Sequence, residues 1–171
     1  MTTRFSLRLP NHQARLVALA VFYHLARPGS EIDPDTLADY PHGLRRLFPF
    51  LEGQMEADFT VLELTPLQVR LLSSAFSSVI SELKMYSLFD TMSAGSARPR
   101  STAPGFDDRL RTLFPEVAGD PFYASRLAEE MTMLRRELPA QRARALLDEE
   151  RRAAQAARSA RKPWQFWRRR R

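Results

Sequence analysis

The sequence predicts a mainly α fold with a small two-stranded antiparallel ribbon, built from internally duplicated strand-helix units and followed by a long C-terminal helix. Three observations carry this. Two short stretches, "RFSLRL" (4–9) and "TVLEL" (60–64), alternate apolar and polar residues. Each runs into a Leu-rich segment at helical spacing. The two strand-helix stretches, 5–22 and 60–77, also match each other at an offset of 55: Leu7 with Leu62, Leu9 with Leu64, Gln13 with Gln68, Arg15 with Arg70, Leu16 with Leu71 and Ala20 with Ala75.

The first strand places Phe5, Leu7 and Leu9 on one face and Arg4, Ser6 and Arg8 on the other. Pro10 and Asn11 follow, with Asn11 as the expected N-cap of a helix that is apolar on nearly all sides (Leu16, Val17, Leu19, Val21, Phe22, Leu25) and therefore deeply buried. The second strand sets Thr60, Leu62 and Leu64 opposite Val61 and Glu63. Thr65 then caps a helix with Pro66 at its first position. Leu67, Leu71, Leu72, Phe76, Val79, Ile80 and Leu83 form its apolar face, with serines on the other side. A lone short strand leaves its backbone groups unpaired, so the two strands are expected to pair, with Arg8 opposed to Glu63.

"LRRLFPFLEG" (44–53) returns as "LRTLFPEVAG" (110–119), now at an offset of 66. A Gly/Pro/Ser-rich insertion at 93–106 accounts for the difference. Residues 1–138 thus read as one duplicated domain, with repeat 1 over 4–53 and repeat 2 over 59–119. The "LFP" motifs read as short helices ended by proline, with Leu47, Phe48, Leu113 and Phe114 as core plugs. Asp120 and Pro121 open a long helix carrying Phe122, Leu127, Met131 and Leu134 inward. Pro139 interrupts it, and 139–162 is expected to project as a helix with little to bury beyond Leu146 and Leu147. Residues 163–171 form a basic aromatic tail.

Charge is segregated along the chain. Residues 1–141 hold 15 Lys/Arg against 17 Asp/Glu, a balance of −2; residues 142–171 hold 11 against 3, a balance of +8. There is no cysteine, which removes disulfides and thiolate chemistry and fits a reducing cytoplasm, the expected location. The opening "MTTRFSLRLP" lacks the apolar run of a secretory signal, and "ARLVALAVFYHLA" (14–26) is too short to span a bilayer.

Two resemblances follow from these segments. "RFSLRLP" resembles the strand of ribbon-helix-helix DNA-binding proteins, which implies Arg4, Ser6 and Arg8 as a base-contacting face. Against it, the stretch from Pro10 to Gly29 exceeds that family's first helix, Pro34 and Pro41 break the segment where a second helix belongs, and the partner strand offers Val61 and Glu63. Residues 107–136, with the preceding strand-helix, are similar to an uncharacterised, mainly helical family of high-GC bacteria bearing a "D-P-x-L-R-R-L-x-P-x-x-Y" element. Asp107, Asp108, Leu110, Arg111, Leu113 and Pro115 match it, while Thr112 replaces an arginine and Val117 lies near the tyrosine position. That likeness implies a helical regulatory or scaffold protein with no catalytic role.

Signals for chemistry are sparse. His12 opens a helix, His24 sits on an apolar one and His42 lies in a Pro-flanked loop, so no pair has metal-ligand spacing on one helix. There is no nucleophile motif or glycine-rich phosphate loop. The acidic stretch "EIDPDTLAD" (31–39) lacks the glycine and ligand spacing of a calcium loop. Carboxylate pairs at Glu129/Glu130 and Glu149/Glu150 are expected to face water. No catalytic residue, metal or cofactor is expected, and the chain reads as a non-enzyme.

The binding signal lies at the other end. Arg158, Arg161, Lys162, Trp164, Phe166, Trp167, Arg168, Arg169, Arg170 and Arg171 combine cations that attract polyanions with rings that stack on unpaired bases. The expected function is a helical regulatory or accessory protein whose tail contacts nucleic acid. The alternative is a protein-protein scaffold or adaptor whose tail associates weakly with an anionic membrane surface, where tryptophans favour the interface and each basic residue contributes about 1 kcal/mol.

Overall fold

A computed structural model describes residues 4–27, 43–92, 101–120, 122–138, 151 and 155. The fold is mainly helical around one two-stranded antiparallel sheet. β1 (Phe5–Pro10) pairs with β2 (Phe59–Leu64) in the register Phe5 to Leu64, Leu7 to Leu62 and Leu9 to Thr60. Phe5, Leu7, Leu9, Thr60, Leu62 and Leu64 are buried, while Arg4, Ser6, Arg8, Phe59, Val61 and Glu63 face outward. The alternation is thus satisfied on both strands.

The register corrects the expected charge pairing. Arg8 lies opposite Val61, and Glu63 lies opposite Ser6. Arg8 leans the other way along the ribbon, its guanidinium 4.0 Å from the centre of the Phe59 ring. A cation over an aromatic face keeps its water on the far side, which an exposed ion pair on a diagonal would not improve.

Thr60 brings one polar group to the buried face. Its hydroxyl is inaccessible and has no hydrogen-bond partner among the described residues. Thr60→Val, nearly the same shape, is expected to raise stability by about 1 kcal/mol, read as a shift in the urea midpoint, because it removes an unsatisfied buried hydroxyl.

α1 (Asn11–Ala26) is the central helix, packed against β1 and β2 and against the helices described below. Ala14, Leu16 to Val21 and Tyr23 are all buried, as its continuous apolar character requires. Asn11 does not cap it. Pro10 holds the cap position, and the Asn11 amide instead donates to the carbonyls of Met55 (2.8 Å) and Ala57 (2.7 Å), with its backbone N–H on the Asp58 carbonyl (2.9 Å). Proline before the helix already fixes an extended entry, so the side chain is free to tie down the turn that leads into β2.

A 3-10 turn (Leu44–Arg46) leads into α2 (Leu47–Gly53), whose third residue is Pro49. Proline does not end this helix, because in the first turn no N–H is needed. α3 (Pro66–Met92) then carries Leu72, Phe76, Val79 and Leu83 into the core. Its N-terminus is closed by a reciprocal pair: Thr65 N–H donates to Gln68 Oε1 (2.9 Å) and Gln68 N–H donates to Thr65 Oγ1 (3.2 Å). Gln68 also donates to the Gly43 carbonyl at 3.2 Å, joining the helix start to the 3-10 turn. Thr65→Ala is expected to cost about 1 kcal/mol, measured by chemical denaturation.

α4 (Phe106–Leu113) and a 3-10 turn (Pro115–Ala118) follow. Gly105, before α4, has φ 77°, the left-handed region that favours glycine. Ala103 and Phe106 are buried, so the end of the 93–106 insertion belongs to the core. α5 spans 123–138; Asp120 accepts the Phe122 N–H at 2.9 Å and a guanidinium N–H of Arg126 at 2.6 Å. That Arg126 bond, then the backbone one, holds the Asp120 carboxyl below its ordinary range. Leu127, Met131, Leu134 and Leu138 are buried, but Phe122 is 61% exposed, against expectation. It lies in the turn before α5, outside the helix whose inward stripe carries Leu127, Met131 and Leu134.

The matching segments 44–53 and 110–119 do not share a structure. The first is a 3-10 turn followed by a helix; the second is the end of a helix followed by a 3-10 turn. Leu7 does sit opposite Leu62, its sequence match, but the element order does not establish a duplication. The boundaries proposed for 139–162 and 163–171 lie outside the described residues, of which only Arg151 and Gln155, both helical and exposed, fall beyond 138.

Candidate functional site

The ten residues expected to bind anions, Arg158, Arg161, Lys162, Trp164, Phe166, Trp167 and Arg168 to Arg171, all lie outside the described residues, as do His42 and the acidic stretch 31–39. Within the described residues, three places gather polar and titratable side chains.

The first is the outer face of the ribbon. Arg4, Ser6 and Arg8 project there as the alternation predicts. Their neighbours are Phe59 and Val61, 50% and 43% exposed, and the carboxylate of Glu63. Asp58 and Glu56, both exposed, lie in the turn just before β2. The face is therefore mixed in charge rather than a basic stripe.

The second is a cleft between the start of α1 and the second half of α5, of about 310 Å³, lined by His12, Gln13, Leu16, Glu130, Met133, Leu134 and Glu137. His12 Nε2 contacts Glu130 Oε2, and its ring stands edge-on to Phe114 with centroids 5.5 Å apart. Glu130, expected to face only water, thus meets an imidazole 118 residues away in sequence. Leu16 and Leu134 make a buried apolar floor, and Met133 stands on the rim, 56% exposed. A carboxylate holding an imidazole could orient a proton acceptor, but the lining has no hydroxyl or thiol for it to activate. No group of three or more His, Cys, Asp or Glu among the described residues could hold a metal ion.

The third comprises two polar clamps inside the helical layer. Arg109 pairs with Glu52 and lies 5.9 Å from the centres of both the Phe22 and Phe48 rings. Tyr23 donates its hydroxyl hydrogen to Glu82 Oε2 (3.1 Å), and its oxygen lies 2.8 Å from Thr102 Oγ1. Burial, followed by the nearby Glu82 charge, outweighs the Thr102 bond and pushes the Tyr23 phenol above its ordinary 10.0. A folded-state pKa above the unfolded one means stability is intact below pH 10.0 and is lost as pH rises through the folded value. Tyr23→Phe should therefore flatten the alkaline fall in melting temperature above about pH 10, a trend a pH series of thermal melts reads directly.

Residue types alone pointed to the ribbon face. The His12–Glu130 cleft and the Arg109 and Tyr23 clamps join elements far apart in sequence, and no local pattern marks them. Among the described residues, no helix is long and apolar enough to cross a membrane. Compared with protein families, with curated proteins and with solved structures, the chain has no match in any of the three.

Proposed function

We propose that this chain is a non-enzymatic helical regulatory or accessory protein that binds nucleic acid through residues 158–171. One observation carries the reading. Lys162 and Arg168 to Arg171 stand beside Trp164, Phe166 and Trp167, on a chain whose first 141 residues have a net charge of −2. Cations release the counterions of a polyanion, and exposed rings stack on unpaired bases, so the combination suits a single-stranded or partly unpaired partner. The mixed charge of the ribbon face supports the same assignment, since Arg4 and Arg8 are offset there by Glu63, Asp58 and Glu56.

The test compares the full chain with a version ending at Arg161, on single-stranded DNA, single-stranded RNA and phosphatidylserine vesicles across a salt series. The full chain should bind the polynucleotides with a log–log salt slope of roughly −0.7 per phosphate neutralised on a single strand, and the shortened chain should lose most of that slope. Retention on vesicles but not on polynucleotides would favour the membrane adaptor. Equal binding by both proteins would overturn each reading.

A further inference from the structure

Among the described residues, the outer face of the ribbon leaves a charge unmatched and an edge unpaired. Asn11 N–H bonds to the Asp58 carbonyl, continuing the ladder by one step. In an antiparallel pair the bonded positions alternate, so Leu9 and Thr60, Leu7 and Leu62, and Phe5 and Leu64 exchange the bonds between the strands. The N–H and C=O groups of Phe59, Val61 and Glu63 consequently point away from β1, along the far edge of β2. No third strand occurs among the described residues. The Glu63 carboxylate has no ion-pair partner among them.

We propose that the β2 edges of two copies of this chain pair antiparallel across a two-fold axis at Val61, joining two ribbons into a four-stranded sheet and making the protein a homodimer. About that axis Val61 faces its own copy, and Phe59 faces Glu63 of the other. Because Arg8 lies 4.0 Å over the Phe59 ring, each Glu63 then meets the guanidinium that covers the opposite ring. The charge left single in one copy is matched in two. Val61 and Phe59, 43% and 50% exposed, bury apolar surface against the neighbouring copy. All core-facing side chains remain on one side of the enlarged sheet, since the axis is perpendicular to it.

The other edge does not serve. Pairing β1 with itself about Ser6 sets Arg4 against Arg8 of the second copy, a like-charge opposition. Pairing β1 of one copy with β2 of the next is a head-to-tail contact that need not close, whereas the β2–β2 contact is closed by its own symmetry. Dimerisation goes beyond the proposed polyanion binding and does not depend on it, although a dimer would carry that segment twice and gain avidity.

Sedimentation of the full chain over a concentration series tests this. Wild type should shift from monomer to dimer mass. Val61→Lys and Val61→Glu each set like charges on the axis, and each should weaken the dimer on the order of tenfold or more. An equimolar mixture of the two should restore dimer mass. If a substitution at 61 lowers the melting temperature, the pair Glu63→Arg, expected to weaken the dimer, and Arg8→Glu with Glu63→Arg, expected to restore it, give the same reading. A wild-type monomer at every concentration, a dimer indifferent to these changes, or charge-swapped partners that fail to reassociate would each overturn the proposal.

Discussion

Leu62→Asp is expected to abolish cooperative unfolding, leaving a chain with no sharp thermal or urea transition. Leu62 has no exposed surface, and it faces Leu7, itself only 3% exposed, across the ribbon. Removing the leucine costs about 2–5 kcal/mol for lost burial and the cavity left behind. A carboxylate in its place adds several kcal/mol more, because among the described residues no cation is buried on that face to pair with it. Domains of this size are stable by about 5–15 kcal/mol, so the sum takes most or all of it. Leu7→Asp should behave alike. Ser6→Thr, outward-facing on the partner strand, should stay within about 0.5 kcal/mol of wild type. A folded Leu62→Asp protein melting as wild type would show that the ribbon does not lie on the helices.

Asn11→Asp should cost about 2–4 kcal/mol in urea denaturation at neutral pH. The Asn11 amide donates to two carbonyls, of Met55 and Ala57, at 2.8 and 2.7 Å. An aspartate presents an acceptor to both, losing two hydrogen bonds and adding charge repulsion at a partly buried site. The favourable position of an anion at a helix start returns only about 0.5 kcal/mol. The penalty carries a pH signature. The new carboxyl is destabilised when ionised, so its folded pKa is raised, and the deficit should shrink as pH falls toward about 4, where protonation restores one donor. Asn11→Ala loses the bonds without the charge and should show a smaller deficit with no such slope.

These two positions also mark where the sequence was legible. Leu62 is readable from alternation, since residues two apart on a strand share a face and Leu62 and Leu64 share theirs while charged Glu63 marks the other. Asn11 is misread as a cap, because Asn before a helix is a common cap and its true partners lie 44 and 46 residues away. Phe122 is misassigned for a related reason: hydrophobicity near a helix start suggests burial, but the residue lies in the turn before α5 rather than on its inward face. Gln68 lay in the matched pair Gln13/Gln68, yet only the structure shows it closing the α3 start and holding Gly43. The candidate surfaces divide in the same way. Arg4, Ser6 and Arg8 could be placed outward from the strand pattern, whereas the cleft of His12 and Glu130 needs α1 and α5 side by side.

The sequence by itself determined the mainly helical class, the two amphipathic strands, the buried central helix, the Thr65 cap and the segregation of charge toward 142–171. Each of these is local, set by a periodicity of two or 3.6 residues or by composition. The tertiary structure alone decided the strand register that pairs Arg8 with Val61, the tie from Asn11 to the turn before β2, and the meeting of His12 with Glu130. Such contacts depend on how whole faces pack, and the free energy of packing is shared among many side chains, so no short stretch of chain encodes it.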